Sequence, residues 1–385
     1  MKKKAVMYGA GNIGRGFIGK TLSESGYEVC FVDVVKELVD QLNQDRIYPV
    51  KIVSNEGKEE VLVKDVRAVN GLDLDLVAEE IAEADIMATS VGVNVLPKII
   101  KPICAGLRKR FDRSGGPLNI LICENIIDGS SYLRGLIEEE MGEEYKEILD
   151  KKLGLIEASI GRMVPIMTDE MREGNILRVW VEPYDRLPVD KAAFVGNIPE
   201  INNLVPYSPF GYYIKRKLFI HNMAHSMFAY YGWQRNYRYI YECVANKEMK
   251  AKVRSAMVET KKALVKEYGV PDKEIESHIE DLLNRFSNRA LGDTVARVGK
   301  DPLRKLHAND RLVGAALYCT QMGIEPLNLI DGIVIGLRYD NKEDEAAVLM
   351  QSLIKNKGIE EFLISDCKLQ NEMELVKKIV KVYNL

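Results

Sequence analysis

The sequence predicts an α/β protein with a doubly wound, mostly parallel sheet in its first half, followed by a mainly α-helical second half. Strand-like and helix-like segments alternate through the first half, which favours parallel strand pairing with helices on both faces of the sheet. The strand-like segments are residues 5–8, 27–32, 61–69, 85–90, 119–123 and 153–160, and helical patterns cover residues 17–25 and 34–42.

A change of pattern near residue 200 divides the chain. Five of the 13 prolines fall between residues 183 and 209, and prolines interrupt regular elements. Strand-like segments almost disappear beyond them. Helical patterns then cover residues 212–231, 247–268, 272–286, 302–322 and 343–356. We therefore expect two domains, residues 1–200 and 201–385.

The composition narrows the class of protein. The 385 residues carry a formal net charge of −3, whereas a generic nucleic-acid-binding protein needs a basic excess. No apolar run reaches the ~18 residues that indicate a membrane-spanning helix. The six cysteines are scattered without a C-x-x-C pair, which is typical of reduced thiols in a cytoplasmic protein. We expect neither a nucleic-acid partner nor a membrane partner.

A glycine-rich turn follows the first strand-like segment. Gly9, Gly11 and Gly14 form a G-x-G-x-x-G pattern that also contains Asn12 and Ile13. The first glycine permits the tight turn, the second lets a pyrophosphate approach the backbone, and the third allows close packing of helix on strand. The helix that starts here would attract the pyrophosphate to its N-terminus. The pattern therefore predicts a dinucleotide site.

An acidic residue at the end of the second strand-like segment strengthens this prediction. Asp33 lies 19 residues after Gly14 (33 − 14), where a carboxylate accepts hydrogen bonds from the adenosine ribose. Because the same charge would repel the 2′-phosphate of NADP, we expect NAD as the cofactor. Arg15 either adds positive charge at the phosphates or is a solvated surface arginine.

Two further groups follow strand-like segments. Ser90 and Val91 come at the end of residues 85–90, and Asn125 comes after residues 119–123. Ligands bind at the carboxyl ends of the strands in this architecture. We expect Ser90 and Val91 to line the cofactor site and Asn125 to reach the nicotinamide or the substrate, with an ordinary turn asparagine as the alternative.

A K-x4-N-x2-H pattern lies in the first helical segment of the second half. It consists of Lys217, Asn222 and His225, with His221 between them. On a regular α-helix, at ~100° per residue, these four residues span an arc of ~140°. Apolar surroundings lower the pKa of a lysine towards the range useful for proton transfer, so Lys217 is a candidate acid/base. An exposed stripe of lysine and histidine is the alternative.

The two histidines of this segment also allow a metal-binding interpretation. His221 and His225 are spaced as in the H-E-x-x-H zinc pattern, which would indicate a metal hydrolase. Asn222 replaces the glutamate that activates water in that pattern, and no third ligand stands out. We therefore expect no catalytic metal.

Taken together, these motifs resemble those of the polyol-specific long-chain dehydrogenases over nearly the whole chain. The resemblance covers residues 9–19, 123–125, the Lys217/Asn222/His225 pattern, residues 297–306 (R-V-G-K-D-P-L-R-K-L) and residues 310–312 (D-R-L). It implies a Rossmann-type N-terminal domain, a helical C-terminal domain, a site drawn from both, and metal-independent hydride transfer.

The resemblance also implies a role for each residue. Lys217 would take the proton from the reacting hydroxyl as hydride leaves for NAD⁺, and in the reverse direction it would protonate the ketose oxygen. Asn222 and Asn125 would donate hydrogen bonds to that oxygen as negative charge builds on it. His225 would orient the substrate or the lysine.

The short chain favours the sugar-phosphate branch of this family. A phosphorylated substrate needs cationic anchors, which arginine supplies best. A solvated basic helix end is the alternative for each candidate. The candidates are Arg289, Arg297, Lys300, Arg304 and Lys305.

The chain departs from the family at Gly161. Relatives usually carry an acidic residue before the arginine of a D-R-I-V-P-like segment, and here the segment reads Gly161-Arg162-Met163-Val164-Pro165. The glycine removes a polar contact expected near the substrate, and Glu157 or Asp169 could replace it.

The sequence and its resemblance thus predict an NAD-dependent oxidoreductase that interconverts a sugar-alcohol phosphate and a ketose phosphate. The alternatives are a dehydrogenase of an unphosphorylated polyol or sugar acid, an NAD-binding relative without catalysis, and a metal hydrolase. The oligomeric state stays open.

Overall fold

The computed structural model describes residues 2–385 and divides the chain into two compact units, Met1–Gly211 and Tyr212–Leu385. The last two strands of the first unit are β10 (Leu187–Asp190) and β11 (Leu204–Tyr207), which pair in parallel. A boundary at residue 200 would separate these paired strands. Both strands belong to the first unit, which ends at Gly211.

A six-stranded parallel sheet forms the centre of the first unit. Its strands are β1 (Lys3–Tyr8), β2 (Tyr27–Asp33), β5 (Val66–Asn70), β6 (Ile86–Thr89), β7 (Leu118–Ile122) and β8 (Leu153–Glu157). Their order in the sheet is β5-β2-β1-β6-β7-β8, so the direction of winding reverses between β1 and β6. Ligands of doubly wound sheets bind at such a reversal, outside the carboxyl ends of the strands. The predicted fold class is confirmed.

Both faces of this sheet are buried. Successive residues of a strand point to opposite faces. Ala5 and Met7 accordingly pack into one apolar core, whereas Val6 and Tyr8 pack into the other. Burial on both faces explains why the strands read as near-continuous apolar runs in the sequence.

Helices cover the sheet of the first unit. They are α1 (Lys20–Glu24), α2 (Lys36–Asp45), α3 (Leu74–Glu83), α4 (Leu96–Asp112), α5 (Gly129–Met141), α6 (Lys146–Lys152) and α7 (Asp169–Arg172). A π-helical segment, Gly14–Gly19, leads directly into α1. The glycine-rich turn therefore does open a helix, as the motif requires.

A second sheet, of three strands, was not predicted from the sequence. It contains β3 (Ile47–Val53), β4 (Lys58–Lys64) and β9 (Val179–Val181). The single strand predicted for residues 61–69 is wrong, because β4 belongs to this sheet and β5 to the six-stranded one. Asp65 separates them with a φ of 58°. Aspartate is among the non-glycine residues that adopt this left-handed conformation most readily, so the chain turns sharply while its apolar alternation continues.

The second unit is helical, as predicted. Apart from an isolated bridge between Tyr239 and Thr294, the regular elements described within residues 212–385 are helices. They are α8 (Gly211–Arg216), α9 (Met223–Gln234), α10 (Ile240–Ala245), α11 (Lys247–Tyr268), α12 (Asp272–Phe286), α13 (Val295–Gly299), α14 (Pro302–Lys305), α15 (Val313–Gln321), α16 (Leu327–Leu337), α17 (Glu345–Lys357), α18 (Ile359–Ser365) and α19 (Met373–Tyr383), with a π-helical segment, Lys217–Asn222, between α8 and α9.

The single helix predicted for residues 302–322 is wrong. The structure has α14 and α15 there, joined by a turn over residues 306–312. The carboxylate of Asp310 accepts hydrogen bonds from Arg304 at 3.0 Å and from Arg311 at 2.7 Å. These two ion pairs stabilise the turn that interrupts the helical pattern.

None of the helices within residues 2–385 combines the length and the apolar character that a membrane crossing requires.

Candidate active site

Gly9 makes the turn that follows β1. Its φ is 100°, a conformation that residues with a Cβ rarely adopt. A Cβ at this position would also lie closer than 3.0 Å to the carbonyl oxygen of Ser90, which follows the neighbouring strand β6. The Gly9 N–H donates to the carbonyl of Val32 in β2, at 2.8 Å. The turn therefore lies between the ends of β2 and β6, the two strands that flank β1, and only glycine fits it.

Gly14 and Gly11 differ in what surrounds them. A Cβ on Gly14 would lie closer than 3.0 Å to the carbonyl oxygen of Gly9, so this glycine is needed for packing within the turn. Gly11 is exposed, and nothing lies within 4 Å of the position of a Cβ there. Asn12 and Ile13, both half-buried, connect Gly11 to the π-helical segment. The backbone at Gly11 is thus open to an incoming group, as a pyrophosphate site requires.

Asp33 joins the glycine-rich turn to the end of β2. Its Oδ2 accepts a hydrogen bond from the Ala10 N–H at 2.8 Å, and its Oδ1 accepts one from the Val35 N–H at 3.0 Å. An ionised carboxylate offers about four acceptor sites. Acceptor capacity therefore remains for ribose hydroxyls.

Arg15 is buried beside the glycine-rich turn. It is only 2% exposed, so it is not a solvated surface arginine. Its guanidinium donates to the carbonyl of Leu177 at 3.2 Å and to the carbonyl of Ala10. Burial lowers the pKa of Arg15 to about 10. Arg15 stabilises the backbone of the glycine-rich turn from inside the unit.

Glu124 is a structural contributor that sequence reasoning missed. This buried carboxylate, just after β7, accepts hydrogen bonds from the Val91 N–H at 2.8 Å and the Gly92 N–H at 2.9 Å. It therefore fixes the segment after β6 that contains Ser90 and Val91. The signal in the sequence was an acidic residue at the carboxyl end of the neighbouring strand. Asn125, the next residue, is exposed.

Glu182 supports the segment at Gly161. The Glu182 carboxylate is fully buried and accepts a hydrogen bond from the Met163 N–H at 2.5 Å. The Arg162 Nε donates to the Glu182 carbonyl at 2.9 Å. Glu157 instead accepts from the backbone and hydroxyl of Ser130, at 3.0 and 3.1 Å.

The Lys217/Asn222 pair of the second unit lies in a π-helical turn. The segment Lys217–Asn222 is π-helical, and the N–H of Met223 donates to the carbonyl of Leu218, five residues earlier. In this geometry residues i and i+5 are joined along the helix axis. Lys217 and Asn222 therefore lie nearer the same side than the ~140° of a regular α-helix allows. Both are half-buried. Single π-helical turns are frequent at functional sites.

His221 is buried beside His225, and the centroids of the two rings lie 6.3 Å apart. It is 7% exposed, and its ring packs edge-on against Phe286 with centroids 5.4 Å apart. Burial, together with the nearby charge of Arg285, holds the pKa of His221 well below its usual value. Within residues 2–385, no group of three or more His, Cys, Asp or Glu side chains is placed to hold a metal ion.

His225 is held by an aromatic ring and a carboxylate. Its ring stacks on Phe286 with centroids 4.8 Å apart and an interplanar angle of 18°. Its Nε2 lies 3.2 Å from Oδ2 of Asp293, whose Oδ1 pairs with the guanidinium of Arg297. Sequence reasoning missed Asp293, which belongs to no motif that it used.

The candidate phosphate ligands all belong to the second unit but differ in their surroundings. Arg304 is half-exposed and pairs with Asp301 at 2.8 Å as well as with Asp310. Lys305 is 5% exposed, and its Nζ donates to the carbonyl of Lys300. Burial and the charge of Arg311 lower the pKa of Lys305 to about 7.

The guanidinium of Arg289, another candidate, lies 5.5 Å from the ring centroid of Tyr241. Arg304 and Lys305 are neighbours in α14, where Arg304 is half-exposed and Lys305 is buried.

The sequence matches two family models that together cover most of its length. Residues 3–203 match the mannitol dehydrogenase Rossmann domain, and residues 210–384 match the mannitol dehydrogenase C-terminal domain. The chain belongs to the mannitol dehydrogenase family. The resemblance found in the sequence is thereby confirmed.

Bacterial proteins of this family are similar over the full length. The mannitol-1-phosphate 5-dehydrogenase of Bacillus licheniformis is 36% identical over 377 residues, covering 98% of both chains. That of Bacillus subtilis is 38% identical over 381 residues, covering 99% of both. That of Brevibacillus brevis is 38% identical over 359 residues, covering 93% of this chain and 92% of its own.

Two solved structures share the fold. A Pseudomonas fluorescens mannitol 2-dehydrogenase in ternary complex with NAD and D-mannitol superposes with a TM-score of 0.80 at 15% identity, covering 100% of this chain and 92% of that one. A D-sorbitol dehydrogenase in substrate-free form superposes with a TM-score of 0.84 at 13% identity, covering 100% and 93%. At these identities the comparison supports the fold alone.

Proposed function

We propose that this protein is an NAD-dependent dehydrogenase that interconverts mannitol 1-phosphate and fructose 6-phosphate. The observation that carries the proposal is similarity of 36–38% over nearly the whole chain to proteins named mannitol-1-phosphate 5-dehydrogenase. The π-helical placement of Lys217 beside Asn222 supports the chemistry.

The residues of the first unit fit NAD. Gly11 leaves its backbone open to the pyrophosphate, and Asp33 keeps acceptor sites for the ribose hydroxyls. The Asp33 carboxylate also disfavours the additional phosphate of NADP. Glu124 fixes the segment at Ser90 and Val91 that borders the turn. NAD, when bound, accepts or donates the hydride.

Lys217 moves the proton. During oxidation its neutral amine accepts the proton of the reacting hydroxyl, and during reduction its ammonium protonates the ketose oxygen. A positioned general acid or base contributes ~10²–10⁴-fold to the rate. Lys217 is half-buried in the π-helical turn, five residues before Asn222.

Two amides stabilise the reacting oxygen. The Asn222 side chain, five residues along the π-helical turn from Lys217, donates a hydrogen bond to this oxygen as negative charge develops. We assign the same task to Asn125, and we assign orientation of the substrate to His225. The mechanism uses no metal.

The substrate phosphate binds to cations of the second unit. Arg304 is the leading candidate because its guanidinium is half-exposed while two carboxylates hold it in place. Lys305, Arg297 and Arg289 are the other candidates.

The six cysteines are all free and buried, which supports a cytoplasmic location.

An NADH-oxidation assay with matched sugars tests the proposal. The purified protein would be given fructose 6-phosphate, fructose and other ketose phosphates at equal concentrations. We expect fructose 6-phosphate to give the highest kcat/KM, at least tenfold above fructose. Equal rates with both would favour a dehydrogenase of unphosphorylated polyols. NADH binding without turnover of any sugar would refute the proposed activity.

A further inference from the structure

We propose that Arg311 is a specificity-determining residue, which binds the phosphate of the substrate together with Arg304. The inference rests on the proposed function, because it names a further phosphate ligand for that same site. It starts from Asp310, whose carboxylate contacts both guanidinium groups. Its Oδ2 accepts a hydrogen bond from Nη1 of Arg304 at 3.0 Å, and its Oδ1 accepts one from Nε of Arg311 at 2.7 Å.

The terminal nitrogens of Arg311 are available to a ligand. Within residues 2–385, the Arg311 side chain donates a hydrogen bond through Nε alone, so Nη1 and Nη2 have no partner there. Both terminal nitrogens retain some exposed surface. The side chain as a whole is only 11% exposed, so the protein holds the guanidinium in place while these two nitrogens remain accessible. An arginine in this state can bind two oxygens of one phosphate.

Arg304 supplies the second guanidinium. Its Nε donates to Asp301 at 2.8 Å and its Nη1 donates to Asp310, whereas its Nη2 makes no hydrogen bond to the described part of the chain. Two carboxylates thus orient this guanidinium, and the shared carboxylate of Asp310 keeps Arg311 beside it. Side chains that are already oriented lose less conformational entropy when they bind an anion.

Positive charge exceeds negative charge in this cluster. Its carboxylates and cations are Asp301, Asp310, Arg304, Lys305 and Arg311. Burial, followed by the charges of Arg311 and Arg304, lowers the pKa of Lys305 to about 7. Both arginines therefore act on the same buried amine, so their guanidinium groups lie near each other. A phosphate dianion would offset the excess of positive charge.

The cluster lies beside the segment that contains Lys217. The turn over residues 306–312 leads into α15, and a Cβ on Gly314 of that helix would lie 3.1 Å from Cε1 of Phe219. The ring of Phe219 also stacks on Tyr318 of α15, with centroids 5.5 Å apart. Phe219 is two residues after Lys217 in the π-helical segment. The proposed phosphate ligands and the candidate acid/base thus belong to elements that pack together within the second unit.

Chemical modification of arginines in the wild-type protein tests the proposal without any variant. Phenylglyoxal reacts with accessible guanidinium groups, and mass spectrometry of the digested protein locates the modified residues. We expect fructose 6-phosphate and inorganic phosphate to protect Arg311, while fructose gives no protection. Arg254, which pairs with Glu280 at 2.8 Å in the same unit, should react equally in every case. An Arg311 that does not react in the free protein, or that reacts as fast with either phosphate compound present, overturns the proposal.

Arg311→Met supplies the second measurement. We expect kcat/KM for fructose 6-phosphate to fall by ~10–100-fold, mainly through KM, because a charged hydrogen-bond donor to the phosphate is lost. By contrast, kcat/KM for fructose and the affinity for NADH should stay unchanged. Arg311→Lys, which retains the charge without the planar fork, should recover part of the loss.

Arg254→Met is the matched control. It also removes an arginine paired with carboxylates of this unit, Glu276 and Glu280, and should change kcat/KM for neither sugar. In Arg311→Met, an unchanged kcat/KM for fructose 6-phosphate overturns the proposal. Equal falls with fructose 6-phosphate and fructose also overturn it, because they show a role in the structure alone. If the wild-type protein turns over no sugar phosphate, the proposed function fails, while protection of Arg311 by inorganic phosphate still decides whether this residue binds an anion.

Discussion

The backbone N–H of Ala10 donates a hydrogen bond to Oδ2 of Asp33 at 2.8 Å. This contact joins the two features that sequence reasoning treated as separate signals of a dinucleotide site, the glycine-rich turn and the acidic residue after β2. Asp33 thus shapes the turn as well as offering its remaining acceptor sites to a ribose.

Asp33→Ala is expected to weaken NAD binding more than NADP binding. The variant loses hydrogen bonds between a charged group and the ribose, worth about 1.5–3 kcal/mol, and it loses the repulsion of a 2′-phosphate. NAD affinity should fall by about tenfold or more, and the preference for NAD over NADP should shrink. Titration of both cofactors measures this. Asp40→Ala, on the exposed side of α2, is the control, and an unchanged cofactor ratio in Asp33→Ala would contradict the assignment.

Alanine at Gly14 should lower the stability of the protein, whereas alanine at Gly11 should weaken NADH binding. At Gly14 the added Cβ collides with the Gly9 carbonyl, so we expect a lower melting temperature or insoluble protein. At Gly11 the Cβ meets no atom within 4 Å, so the melting temperature should hold while NADH affinity falls about tenfold. Thermal melts and NADH titrations separate the two effects. Normal NADH affinity in Gly11→Ala would argue against a pyrophosphate at this turn.

Glu124→Gln should loosen the segment at Val91. The amide can accept from one of the two N–H groups at 2.8 and 2.9 Å, but its own NH₂ group then faces the other donor. Leaving a buried donor without its acceptor costs about 1–3 kcal/mol. We expect a lower denaturant midpoint and weaker NADH binding. Glu138→Gln, on the half-buried surface of α5, is the control. Equal midpoints for Glu124→Gln and the wild type would show that the carboxylate does not hold this segment.

The sequence predicted the parts of the fold that depend on local pattern. Helices α11 and α12 were predicted to the residue, because their apolar periodicity is bounded by clear ends. The strand at residues 61–69 failed because alternation continues through Asp65, where the backbone changes direction. Strand β3 was missed because its partners, β4 and β9, are brought together only by tertiary pairing.

In the candidate site, too, the sequence predicted what local spacing determines and missed what tertiary contacts determine. The glycines and Asp33 were found because their spacing in sequence is itself the signal. The burial of Arg15 could not be predicted from the sequence, because its partner carbonyl, on Leu177, is distant in the chain. Glu124 and Asp293 were missed because each acts on residues of another segment, and a single sequence does not show such contacts.

Lys305 should make the stability of the second unit depend on pH. Its folded-state pKa of about 7 lies below the ordinary 10.5, so the unfolded chain holds the proton more tightly. Below pH ~7 the full cost of burying the charge is present, and this cost disappears as pH rises towards ~10.5. The added stability of Lys305→Met over the wild type, roughly 2–4 kcal/mol at pH 7, should therefore shrink by pH 9.5.

Urea unfolding followed by tryptophan fluorescence measures this difference. Of the two tryptophans, Trp233 lies in the second unit, and a Trp180→Phe background removes the other. A difference between Lys305→Met and its background that is constant from pH 7 to 9.5 would mean that Lys305 is charged in the folded protein throughout this range.

The measurement that most directly tests the account is turnover of fructose 6-phosphate by Lys217→Met, with NADH affinity measured in parallel. We predict that kcat falls by ~10²–10⁴, the contribution of a general acid or base, while NADH binds within about twofold of wild type. Lys250→Met, on the exposed side of α11, should behave as the wild type. Turnover near the wild-type rate in Lys217→Met would contradict the assignment of the proton to this amine.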